Sequence, residues 1–423
     1  MADIDSGVGF MTRRGISKSS RDLVAVLLPA LLCLVSWAAP KYKILYAFSG
    51  DDGGLLYSGV AFDRKGNLYG VSLRGGPEGY GTVYKLRKQP DGSWSEKVLQ
   101  SFSNGDPRGD QPSGTPVFDS AGNLYGTTEL DGAHGKGTVF RMAPSPSGWT
   151  FEVLYDFCSQ PDCGDGGAPW AGLLLDAAGN LYGTAGGVFE LSPEPGGWTE
   201  NVLYPFCLKE RCADGFRPLA GLIADAKGNL FGTTVQGGAY KAGTVYKLRK
   251  MPDGTWQERV LHSFGAFSSD GNEPGVNSLA LDSLGNLYGV TDQGGSHLCG
   301  GGVFGCGTVF RLTRQPNGHW KETILHNFKP DENGFTPTGV VLDGTGNLYG
   351  STSLGGGRCG CGVVFKMTPK PDGTWNYSVL HTFTGDDGAS PYANLILDDN
   401  GNLYGTAHLG GPGGAGVVFE LTP

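Results

Sequence analysis

The sequence predicts an all-β chain: a seven-bladed β-propeller of four-stranded blades, closed by an N-terminal strand that pairs in the last blade. Three observations carry this. The string D-x-x-G-N-L-Y-G, or a close relative, begins at Asp63, Asp119, Asp176, Asp225, Asp282, Asp343 and Asp398, seven copies at a period of about 55 residues. Glycine supplies 74 of 423 residues, where about 7% is usual, so the chain is rich in turns. The two chain ends each hold part of one repeat. Charged residues are only 17% and methionines number five, which excludes a coiled coil and an acidic disordered chain; glycine does not recur at every third position, which excludes collagen. The hydrophobic fraction of 39% suffices for a large core, and a formal charge of −9 gives no general attraction to nucleic acid or anionic membrane.

In chain order, residues 1–38 read as an export signal. Arg13, Arg14, Lys18 and Arg21 form a basic head, and Leu23 to Val35 is an apolar run too short to span a bilayer comfortably. Ser36-Trp37-Ala38 places small residues where a signal peptidase reads, so the expected cut follows Ala38. Thr12 to Lys18 also resembles a twin-arginine signal with an imperfect apolar pair. Leu32 before Cys33 argues against a lipid anchor, and residues 39–423 form the expected propeller.

Each unit then reads as four short strands, in the first Gly59 to Asp63, Asn67 to Leu73, Gly81 to Arg87 and Trp94 to Phe102. Asp63-Arg64-Lys65-Gly66-Asn67 is a tight turn in which the carboxylate accepts backbone N–H groups and glycine supplies positive φ. A second turn, often P-D-G, precedes Trp94, Trp149, Trp198, Trp256, Trp320 and Trp375. The fourth-strand signature, as in Val98-Leu99-Gln100-Ser101-Phe102, also appears as Ile44-Leu45-Tyr46-Ala47-Phe48 before the first unit, while the last unit stops after its third strand, Gly416 to Pro423. An open stack gains nothing from dividing one unit between its ends, whereas a ring removes its exposed edge.

The recurrent phrase G-N-L-Y-G-T-T, then G-G, then G-T-V-F with L-T-P, complete in Asn123 to Phe140 and in Asn229 to Leu248, resembles the tandem repeats of the choice-of-anchor GloVer-containing proteins, an exported bacterial family. The resemblance covers Lys41 to Pro423 and implies export and a propeller-like array; no activity comes with it. Such proteins often carry a C-terminal anchoring segment, and none follows Pro423, so the expected location is periplasmic or extracellular.

If the first strand of each unit is innermost, the D-x-x-G-N and tryptophan turns share one face, and the remaining loops share the other, here the top. The eight cysteines after residue 38 all fall in top loops: Cys158 and Cys163, Cys207 and Cys212, Cys299 and Cys306, Cys359 and Cys361. In an exported chain that even count at local spacing favours disulfides over a four-thiolate zinc site. Cys359-Gly360-Cys361 would close a strained ring, so a different connectivity or ready reduction is expected there. His262, His326 and His381 occupy one slot, filled elsewhere by Tyr46, Gln100, Tyr155 and Tyr204, and read as outer-strand surface residues too far apart to form a cluster. His134, His297 and His408 lie in top loops as weak candidates for polar contacts.

Asp-Gly pairs at blade junctions, at Asp52, Asp165, Asp214, Asp270 and Asp387, read as turns, with a calcium surface as the weaker alternative. The repeats differ just before the inner strand, where Tyr57, Trp170 and Tyr392 stand against Ser113, Leu219, Gly275 and Thr338. The third unit also lacks a top loop, running from Thr184-Ala185 into Gly186-Gly187-Val188-Phe189, which should open a notch beside Trp170. These aromatics are the expected ligand contacts, because sugar rings pack their C–H faces on π systems. No G-x-S-x-G elbow, H-E-x-x-H helix or EF-hand string occurs, so no catalytic residue, metal ligand or required cofactor is assigned. The expected function is a monomeric, exported, non-catalytic module that binds glycans or an envelope protein and no nucleic acid. An enzyme acting on a polysaccharide or lactone through top loops is the alternative.

Overall fold

The computed structural model describes residues 39–302, 304–330 and 333–423. The expected export signal and its expected cleavage site lie outside the described residues, and Pro40–Pro423 forms one compact unit. Within it, strands run antiparallel in seven blade sheets arranged as a propeller, with a two-stranded ribbon, Leu298–Cys299 against Phe304–Gly305, in a top loop of blade five, and the only helical elements among the described residues are short 3-10 turns at Pro161–Cys163 and Glu210–Cys212.

The first blade shows the plan. Ala61–Phe62 pairs with Leu68–Ser72, which pairs with Thr82–Lys88, which pairs with Trp94–Ser101 at the rim. The innermost strand is shorter than its sequence suggests, because its leading glycine meets other blades instead of a sheet partner: Gly59 N–H donates to Thr115 Oγ1 at 2.9 Å, and a Cβ there would lie 3.0 Å from the Asn394 carbonyl oxygen. Leu68–Ser72 is buried throughout, packed on both faces by neighbouring sheets. Its central Gly70 faces Tyr84 across the sheet, and the same pairing recurs at Gly126, where a Cβ would fall 2.5 Å from Phe140 Cζ. The glycine of L-Y-G and the aromatic of T-V-[YF] are therefore one packing device.

The first turn is held as the sequence predicts. Asp63 Oδ1 accepts the Lys65 and Asn67 N–H groups at 2.8 and 2.9 Å, while Oδ2 accepts Asn67 Nδ2 at 2.7 Å and the Tyr69 hydroxyl at 3.2 Å. At the opposite turn of the same face, Trp149, Trp198, Trp256 and Trp375 wedge edge-on against the L-Y-G tyrosine of the preceding blade, Trp149 on Tyr69 at 5.9 Å between ring centroids. The apolar core lies between blades. Tyr69, Val71, Val83 and Phe102 of blade one pack with Leu124, Phe140 and Met142 of blade two.

Closure follows the expected route. Lys41–Ala47 pairs antiparallel with Val417–Thr422 and becomes the outer strand of blade seven. Leu45 and Phe48 then pack with Tyr84 and Leu86 of blade one and with Tyr404 and Val418 of blade seven, the last of the interblade cores.

Two sets of carboxyl groups give stability opposite pH dependences. Burial alone would raise Asp63, but hydrogen bonds from Asn67, Lys65 and Tyr69 outweigh it and hold the carboxyl below its ordinary value. Asp119, Asp176, Asp225, Asp343 and Asp398 are lowered in the same way. Their contribution is present above the unfolded value of about 3.9 and is lost as pH falls through the lower folded value. At the rim, burial and then the Asp52 and Asp165 charges push Glu96 and Glu200 up to about 7. Between about 4.3 and that value the folded chain holds protons that the unfolded chain has released, so stability falls as pH rises. On these two sets thermal melts should show the highest Tm at about pH 4–4.5, with declines on both sides. A Tm that rises steadily from about pH 5 to about pH 8 contradicts this assignment.

Candidate functional site

Three repeat slots of differing composition converge on the top of the central channel. The first lies six residues before each turn aspartate. It holds Tyr57, Ser113, Trp170, Leu219, Val276, Pro337 and Tyr392, so strict register replaces the expected Gly275 and Thr338 with their neighbours. Tyr57, Trp170 and Tyr392 are half-buried and line a cavity of about 1010 Å³. Tyr57 sits between the others, its ring centroid 5.8 Å from Trp170 and 5.2 Å from Tyr392. Contact between blades one and three across blade two is made easy by the small Ser113, whose hydroxyl donates to the Trp170 carbonyl at 2.9 Å. None of the three rings belongs to an interblade core.

The second slot, ten residues after the turn aspartate, was not singled out by the sequence reading. It holds Leu73, Glu129, Gly186, Val235, Asp292, Ser353 and His408, a different residue in every blade. That divergence was its available signal. Glu129 and Asp292 line the same cavity as the aromatics. Burial, then the Glu273 carboxylate, pushes Asp292 up to about 7. Burial and Asp110 raise Glu129, and Arg74 opposes them. His408 is buried beneath Tyr57, 4.0 Å between ring centroids, and burial drives its imidazole down to about 4, so it is neutral near pH 7.

The third slot carries backbone strain. Leu55, Gln111, Ala168, Arg217, Glu273, Thr336 and Ser390 all adopt left-handed φ between 52° and 58° although none is glycine. The bend lets Gln111, Ala168, Glu273, Thr336 and Ser390 donate their N–H to the top loop of the preceding blade, at 3.0 Å for Gln111 on Tyr80 and 2.7 Å for Ala168 on Lys136. Ala168 and Arg217 face the cavity. Below it, Asn277 ties three blades together, donating to the Thr338 carbonyl at 2.7 Å and the Tyr392 carbonyl at 2.6 Å. The floor is thus amide-lined and the walls are aromatic and carboxylic.

The notch expected in blade three is present. Ala185 turns directly into Gly187, with Ala185 N–H donating to the Gly187 carbonyl at 2.9 Å, and Gly186 lines both the central cavity and a side pocket of about 340 Å³ beside Cys163 to Gly166.

The cysteines pair locally, Cys158 with Cys163, Cys207 with Cys212, Cys299 with Cys306 and Cys359 with Cys361. The last pairing is local, so of the two expectations for that loop, a different connectivity or ready reduction, the first does not hold. Asp165 and Asp214 organise the first two loops, each accepting a tyrosine hydroxyl from the preceding strand, at 2.8 Å from Tyr155 and 2.9 Å from Tyr204. The junction acids therefore act as turn anchors. Replacing Cys207 and Cys212 by serine should cost about 2 kcal/mol at most, since so short a loop restricts the unfolded chain little; a larger loss in denaturant melts would assign the bridge a wider role.

The histidine slot needs correction. His262 and His381 are not surface residues: each side chain is 16% exposed and lies between blades, because a bulge in every outer strand turns this slot toward the next blade. His134, by contrast, lies in an exposed loop against Asp156 at 3.1 Å. No described helix is long and apolar enough to cross a membrane.

Among solved structures the chain is similar to a candidate 6-phosphogluconolactonase from Bacteroides uniformis, at 15% identity and TM-score 0.51 over 82% of this chain and 89% of that one. It is also similar to an ancestral GH74 enzyme, at 13% identity and TM-score 0.53 over 88% of this chain and 48% of that one, about half its length. At such identities the likeness is one of fold. No curated protein matches the sequence. The Gloeobacter/Verrucomicrobia repeat model matches residues 34–209 and 297–423, most of the ring whose turns, glycine-aromatic pairs and closing strand are described above, and the chain belongs to that repeat family.

Proposed function

We propose that this chain is an exported binding propeller whose top-face cavity takes a carbohydrate ligand. The observation that carries the reading is the convergence of Tyr57, Trp170 and Tyr392 on a cavity of about 1010 Å³ whose remaining wall includes Glu129, Asp292, Asn394 and Arg217. Aromatic faces bury the C–H surface of a sugar, while carboxyl, amide and guanidinium groups match its hydroxyls. The four local disulfides fit an oxidising compartment. A glycan-array screen of the chain lacking residues 1–38, with and without calcium, tests it: selective retention of one glycan class supports the reading, and retention of none removes it.

A second reading has its own observation. Asp292 and Glu129 occupy one repeat slot in different blades, and both hold protons more tightly than an ordinary carboxyl, the property of a general acid. The similar solved structures include proteins named as a lactonase and as a GH74 enzyme. Turnover of a bound glycan or of a sugar lactone, lost in Asp292→Asn with binding retained, would establish an enzyme.

A further inference from the structure

A belt of polar pairs runs between blades near the rim, and one pair departs from its pattern. The slot two residues before the outer-strand phenylalanine meets the slot two residues after the tryptophan of the next blade. Where the first is tyrosine, the second is glutamate: Tyr46 with Glu96, Tyr155 with Glu200 and Tyr204 with Glu258, each tyrosine hydroxyl donating to its junction aspartate, at 2.6 Å from Tyr46 to Asp52. Where the first is histidine, an aromatic usually lies against it: His326 stacks on Tyr377 at 4.2 Å and His381 on Tyr42 at 3.8 Å. Between blades one and two the second slot is Phe151, under the Arg108 guanidinium that pairs with Asp106 at 2.6 Å.

Between blades four and five, histidine meets glutamate instead. His262 Nε2 lies 3.9 Å from Asp270 Oδ1 and 3.7 Å from Glu322 Oε2, and one ligand atom from each residue falls within 4.8 Å of the others. This is the one such three-residue group among the described residues. The separations are too long for hydrogen bonds. The His262 Nε2 and Glu322 Oε1 atoms are buried with no hydrogen-bond partner, and the Glu322 side chain is 8% exposed and Asp270 0%. Asp270 is fixed in place by the Ala266 and Gly271 N–H groups, each donating at 2.8 Å. Glu96, Glu200 and Glu258 leave the same Oε1 unpartnered at their interfaces and His381 leaves its Nε2 so, but among the described residues only here do an unpartnered imidazole nitrogen and an unpartnered carboxyl oxygen meet in one group with a second carboxylate.

We propose that His262, Asp270 and Glu322 bind a divalent transition-metal ion of the zinc class, which clips blade four to blade five. An imidazole with two carboxylates suits zinc or manganese, and the two negative charges neutralise the ion. Metal–ligand bonds of about 2.0–2.2 Å set tetrahedral ligand spacings of about 3.3–3.6 Å, so the two histidine–carboxylate separations of 3.9 and 3.7 Å need to contract by only a few tenths of an ångström. The neighbouring interfaces cannot do the same: a tyrosine hydroxyl already serves the aspartate, or a stacked ring stands where the second carboxylate would be.

The test uses the chain lacking residues 1–38, stripped with chelator and titrated with Zn²⁺ alone by calorimetry, with Mn²⁺ and Ca²⁺ as comparators. One tight equivalent and a metal-dependent rise in Tm are expected. His262→Tyr restores the residue that Tyr204 supplies one blade earlier, so it should fold with the melting temperature of the stripped chain while binding at least about tenfold more weakly. Glu322→Gln should do likewise, and His381→Tyr should bind as the parent does. Absence of a tight equivalent in the parent, or its survival in both His262→Tyr and Glu322→Gln, overturns the proposal and leaves a buried carboxyl pair beside a histidine.

Discussion

Removal of Lys41–Phe48 is expected to leave an insoluble or unfolded chain, the largest effect of any change considered. The segment supplies the whole outer strand of blade seven, six residues of which register with Val417–Thr422. Without it Val417–Thr422, whose side chains are mostly buried, becomes an unprotected edge. The loss also opens the core between blades seven and one, because Phe48 is fully buried against Tyr84 at 4.9 Å between ring centroids, and it breaks the bond from Phe48 N–H to the Gly416 carbonyl. Phe48→Ala isolates the packing share: it should cost about 3–5 kcal/mol in denaturant melts while leaving the strand pairing intact. Supplying Lys41–Phe48 as a separate peptide should partly rescue solubility. A truncated chain as soluble and stable as the parent would show that the ring does not depend on this strand.

Trp170→Ala should abolish measurable binding of whichever glycan the array identifies, a loss of about 2 kcal/mol or more, as expected of a central aromatic anchor. Stability should change little. Trp170 is half-buried at the cavity wall, touches Tyr57 edge-on and takes no part in an interblade core, whereas a buried wedge would cost about 3–5 kcal/mol on truncation. The two measurements separate the readings: loss of binding with an unchanged melt supports a ligand platform, and a collapsed melt makes the ring a structural plug. Tyr57→Phe keeps the ring stack and should retain most affinity, since its hydroxyl is not needed for the contacts with Trp170, Tyr392 and His408.

The parts of the molecule that repeat were legible in the chain. Asp63 and its equivalents announce their turns because an acceptor, a glycine and an asparagine within five residues close a turn whatever surrounds them. The split of one unit between Ile44 to Phe48 and Gly416 to Pro423 announced the ring, because an unpaired edge is a cost that closure removes. The three aromatics were visible as exceptions in one slot, although their mutual contact was not.

What the sequence by itself determined, then, is the blade: local turns, alternating strands, glycine beneath an aromatic ring, and the order in which seven such units close. What only the tertiary structure decided is which exceptions meet. Asp292 and Tyr392 belong to different repeats, yet share one cavity, and His262 reads as an isolated surface residue until Glu322 of the next blade is set beside it. A period encodes pairings between neighbours in the chain, where hydrogen-bond geometry is fixed by the backbone. Contacts across the channel and between blades depend on how the sheets twist and pack around the axis, and both proposed sites, the central cavity and the rim group, are built from those contacts.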